Sequence, residues 1–169
     1  MSIQTDSGRF PIERISPLEA IISRILGAFI SPTKTFTENI DGNDVEYYRA
    51  NEIKLFGKTY YLSQDVLEIS NPEPKFKTTI ERLHVKGGFE YVLREQSQDY
   101  TITYRRDFVV VETNGGVLVY NSDGITDEKG KKIKDINLWK KFYENREVML
   151  DYAKSQFDSY IERIKPMNK

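Results

Sequence analysis

The chain has 169 residues, of which 38% are hydrophobic and 30% charged, and its net charge is −1. That is long enough for one domain with a real core, too apolar for disorder, and too neutral for a dedicated nucleic-acid binder. Cysteine is absent, which excludes disulfides, thiolate metal sites and cysteine nucleophiles, and leans toward a reducing, cytoplasmic setting.

Residues 1–15 read as a polar arm. Their first six, Met1 to Asp6, lack the basic-then-apolar order of a signal peptide. Ser16, Pro17 and Glu19 then make a helix start, with a cap, a proline suited to the first helical position and a capping-box carboxylate. The helix is predicted to run to about Phe29 and to end before Pro32, with Leu18, Ile22, Ile25 and Phe29 on one face. The apolar stretch from Leu18 to Ile30 is interrupted by Glu19, Ser23 and Arg24. It is too short to span a bilayer, which takes about twenty residues, so no membrane span is expected.

From Thr35 to Ser122 the periodicity changes to two. Phe89, Tyr91 and Leu93 alternate with Glu90, Val92 and Arg94, and Tyr100, Ile102 and Tyr104 with Thr101, Thr103 and Arg105. The runs 108–111 and 117–120 are apolar on both faces, as in central strands. Further strands are expected at about 45–49, 52–56, 59–63, 65–70 and 76–85. In the last, the apolar phase shifts between Ile80 and Leu83, which predicts a bulge. Phe56-Gly57-Lys58, Gly87-Gly88, Asn114-Gly115-Gly116 and Asp123-Gly124 supply the positive φ of tight turns, and such short loops join antiparallel neighbours. Residues 125–134 suggest a small exposed hairpin turning at Asp127 to Gly130.

Asp135 is placed as the cap of a helix over about 136–164. Leu138, Phe142, Met149, Ala153, Phe157, Tyr160 and Ile164 share its apolar stripe, and Pro166 ends it. The expected fold is a single α+β domain over residues 1–169. It has an N-terminal helix, an antiparallel meander of six to eight strands, curved or barrel-like, and a long amphipathic C-terminal helix covering one sheet face.

No motif names a chemistry. His84 is the lone histidine, and catalysis would need an orienting partner and a nucleophile beside it. Asp41, Gly42, Asn43, Asp44 and Glu46 depart from calcium-loop spacing and read as a turn. The glycine pairs precede no helix, so they are not phosphate loops. The lysines 129, 131, 132 and 134 are flanked by Asp127, Glu128 and Asp135, which suits a solvated hairpin. Glu68, Glu90 and Glu112 lie on strands with nothing to show that two of them converge. No metal or other cofactor is expected.

Tyrosine is the surplus residue, with eleven copies. Its apolar ring and polar tip suit partly exposed contact surfaces. Adjacent strand residues point to opposite faces, so one member of Tyr47-Tyr48 and one of Tyr60-Tyr61 should leave the core. The expected function is therefore a non-enzymatic protein-binding module of the inhibitor, adaptor or immunity type, with Tyr47, Tyr48, Tyr60, Tyr61, Tyr91 and Tyr104 as candidate contacts. The alternative is a carrier holding a small apolar or amphipathic ligand between curved sheet and helices. An enzyme is held in reserve and would need His84 and a carboxylate to share one cleft. A protein partner is expected, and nucleic acid is not.

Overall fold

The computed structural model describes residues 31–167. The expected arm at 1–15 and helix at 16–29 lie outside the described residues. Twelve strands follow in order: β1 (Thr33–Ile40), β2 (Asn43–Arg49), β3 (Glu52–Leu55), β4 (Lys58–Tyr61), β5 (Asp65–Pro72), β6 (Lys75–Val85), β7 (Gly88–Gln96), β8 (Tyr100–Tyr104), β9 (Phe108–Thr113), β10 (Gly116–Asn121), β11 (Gly124–Asp127) and β12 (Lys132–Ile133). A short helix α1 (Ile136–Trp139), a π-helical turn (Lys140–Glu144) and a long helix α2 (Arg146–Met167) complete the chain.

Ten strands form one antiparallel sheet in the order β1-β2-β5-β6-β7-β8-β9-β10-β11-β12, and β3 and β4 form a separate two-stranded hairpin. This corrects the expected meander of six to eight strands. The difference lies at the two edges, with β1 on one side and β11 and β12 on the other. In β1 only Phe36 and Ile40 are buried, so no alternation registers. β11 and β12, of four and two residues, pair as the small hairpin expected at 125–134, and β11 joins that hairpin to the sheet through β10.

The expectation of a barrel-like sheet also requires correction: among the described residues the sheet is not closed. Closure would pair β1 with β12, but the strand order ends at each of them. Both edges are blunted, β12 by its length of two residues and β1 by a register irregularity between Lys34 and Phe36. The only bulge-like shift expected, in β6, is absent from its pairing with β5 and β7, which runs residue for residue. The apolar phase changes there because the strand buries both faces, Ile80 on one and Leu83 on the other.

One sheet face meets α2. Register places Val45, Leu67, Ile80, Leu93, Tyr104, Val109, Tyr120 and Ile125 on it. They form one cluster with Ala153, Phe157 and Ile164 of the helix. Burying a side chain such as Phe157 stabilises by about 1.5–3 kcal/mol. The opposite face is not simply wet: Val66, Leu83, Val92 and Val110 are buried there together with Thr79, Glu81 and Thr103.

Asp135 caps as the sequence suggests, its carboxylate accepting the Leu138 N–H at 3.0 Å. The expected single helix is interrupted by the π-helical turn. The wider turn seats three rings on the sheet end: Trp139 donates from Nε1 to the Asn121 carbonyl at 2.7 Å, Phe142 lies 5.1 Å from the Tyr120 ring, and Tyr143 stacks on Trp139 at 5.0 Å. Arg146 lies 4.0 Å over the Tyr143 ring and donates to the Arg106 carbonyl at 2.8 Å, fastening the start of α2 to the β8–β9 turn.

Candidate functional site

The densest side-chain chemistry lies where β5, β6 and β7 meet the β3–β4 hairpin. Antiparallel register sets Asp65 of β5 opposite Arg82 of β6, and His84 follows two residues along on the same face. The Asp65 Oδ2 accepts from Arg82 Nε at 2.9 Å and Nη2 at 2.8 Å, and from His84 Nε2 at 3.0 Å. An ionised carboxylate only accepts, so the His84 nitrogen facing it carries the proton. The Asp65 Oδ1 accepts the Ala50 N–H at 2.7 Å.

Asp65 is only 2% exposed. Burial alone would raise its pKa, but the bonds from His84, Ala50 and Arg82 and the Arg82 charge outweigh burial and hold the carboxyl below its ordinary value. The Arg82 guanidinium lies 4.5 Å from the Phe89 ring centre and 4.6 Å from that of Phe157. Its delocalised charge is weakly hydrated and accepts such aromatic faces. Tyr61 stacks on His84 with 3.7 Å between ring centres and 6° between planes. Phe89 meets the imidazole edge-on at 5.2 Å.

A carboxylate that orients a histidine is half of a catalytic arrangement. Here the Nε2 of His84 is engaged by Asp65 and one ring face is covered by Tyr61. The cluster ties three strands to the hairpin. Among the described residues no group of three or more histidine, aspartate or glutamate side chains is placed to hold a metal, and no helix is long and apolar enough to cross a membrane.

The six tyrosines take different places. Tyr47 and Tyr91 face α2, each edge-on to Phe157 at 6.0 Å, and burial raises the pKa of both hydroxyls. Tyr104 is a core residue, 6% exposed, its hydroxyl pushed up to about 12 by burial. Tyr48 emerges on the opposite sheet face and donates to Glu46 at 3.1 Å. Tyr61 belongs to the histidine stack. Tyr60, paired with Ile53, lies on the other face of the hairpin.

The residue that tyrosine-centred reasoning passed over is Phe56. It occupies the first central position of the two-residue β3–β4 turn, with φ 54° followed by Gly57 at φ 75°. Its side chain is 85% exposed. The β1–β2 turn has the same positive-φ pair in Asp41 and Gly42, and aspartate is a residue that such a turn favours. Phenylalanine is not. Its left-handed backbone costs about 1–2 kcal/mol, and its exposed ring forfeits its burial energy. The signal was present in the sequence, as a bulky apolar residue directly before a turn glycine. Exposed Lys54 and Lys58 flank the tip.

No known protein family matches the chain, and no curated protein or solved structure matches it significantly.

Proposed function

We propose that this chain is a non-enzymatic protein-binding module and that the β3–β4 hairpin is its contact element. The observation that carries the reading is Phe56, held in a disfavoured backbone conformation at a hairpin tip with its ring in water. Aromatic anchors that enter a pocket on the partner supply much of the energy of protein interfaces. Exposed Lys54 and Lys58, two residues to either side of Phe56, suit a partner pocket that is apolar within and acidic at its rim.

Phe56→Asn tests the reading. Asparagine is at home in this turn, so the variant should fold and lose the partner in pull-downs from the native host. Equal recovery of the same proteins by the original chain and by the variant would overturn it.

A further inference from the structure

We propose that the β3–β4 hairpin is a pivoting arm and that His84 is the residue that positions it. The proposal rests on the reading of Phe56 as the contact residue and concerns what aims it.

The two strands of the hairpin bond to each other and not to the ten-stranded sheet. A two-stranded ribbon is marginal by itself. The root of this one is fixed: Leu62 N–H donates to the Asn51 carbonyl at 2.7 Å, Asn51 N–H to Ser63 Oγ at 2.9 Å, and Ala50 N–H to Asp65 at 2.7 Å. Those bonds end at the neck. Beyond it, among the described residues, the aromatic contact from hairpin to body is Tyr61 flat against His84.

The imidazole is a firm surface for that contact. It is held by Asp65, which is held in turn by Ala50 and Arg82, and Phe89 closes its edge. Constraint therefore passes from the sheet through Asp65 and His84 to Tyr61. From the Glu52–Tyr61 pair to the Leu55–Lys58 pair that carries the turn is three strand steps, a lever of roughly 10 Å at strand rise. A small rotation at the stack moves Phe56 by several ångströms. The lone histidine thus has a role that needs no nucleophile.

The test is amide hydrogen exchange on the purified full chain with no partner present. His84→Ala should speed exchange in β3 and β4 by about five- to tenfold, the loss of one aromatic pair, with β5 to β7 within about twofold of the parent. His84→Phe keeps a ring for Tyr61 and should restore hairpin protection. His84→Asn keeps a donor for Asp65 without a ring and should not. The proposal is overturned if His84→Ala leaves the hairpin unchanged, if β5 to β7 loosen equally, or if Asn rescues and Phe does not. Should His84→Ala fail to fold, the Phe and Asn variants still decide it. Because exchange is read on the free chain, its outcome is independent of whether Phe56 captures a protein.

Discussion

Two buried acidic side chains lie on neighbouring strands, on opposite faces of the sheet, and should respond oppositely to removal. Asp65 has four donors. Glu81 has Gln64 Nε2 at 3.5 Å from one oxygen and, among the described residues, no partner for its buried Oε2, and it lies between Val66 and Val92 across the strands. Breaking a buried ion pair costs about 3–5 kcal/mol, so Asp65→Asn should lower stability by several kcal/mol in denaturant titration. An unsatisfied buried polar atom costs about 1–3 kcal/mol, so Glu81→Val should leave stability unchanged or raise it. A loss above about 1 kcal/mol on Glu81→Val would contradict this account of its unpaired oxygen.

The Asp65 carboxyl has a folded pKa below its ordinary value. Its contribution is therefore fully present above the unfolded value, about pH 4, and is lost as pH falls through the lower folded value. Acid unfolding of the parent should show a drop in that range that is reduced in Asp65→Asn. The pairing itself was within reach of the sequence. Once 65–70 and 76–85 are joined as a hairpin, register sets Asp65 against Arg82, and the orienting partner that His84 lacked is found. What the sequence did not hold was the fold of Tyr61 back onto that ring, since its strand pairs only within its own hairpin.

Among the elements, the central strands were the most legible. β7 and β8 show full alternation and β9 and β10 continuous apolar runs, and each is a central strand. The 52–56 and 59–63 segments look like ordinary meander strands, because leaving the sheet changes their neighbours and not their period. The C-terminal helix shows its stripe clearly, but the π-helical turn answers to contacts with Asn121 and Tyr120 that no local pattern contains. Arg146 completes that junction through the Arg106 and Tyr143 carbonyls. Arg146→Ala should lower stability by about 1–3 kcal/mol, the range for charge-assisted bonds and lost packing. Arg146→Lys, a point charge without the planar fork, should recover only part of it.

At the scale of the whole molecule, an antiparallel sheet followed by a covering helix follows from periodicity and glycine placement, whereas the open edges do not. Closure depends on how β1 and β12 end, and both are too short of pattern to predict it. Burial sets Tyr47, Tyr91 and Tyr104 against the core and leaves Phe56 in water, so the exposed aromatic contact is a phenylalanine and not one of those tyrosines. A residue kept for folding should improve nothing when replaced. A residue kept for contact should improve stability and abolish contact.

Phe56→Asn measured both ways therefore bears most directly on the protein-binding reading. The variant should gain about 1 kcal/mol of stability by relief of the left-handed phenylalanine and should lose the proteins recovered by the parent. Val148→Ser, at another exposed apolar position, 65% exposed on α2, should retain them. Loss of stability with retained capture in Phe56→Asn would contradict the account.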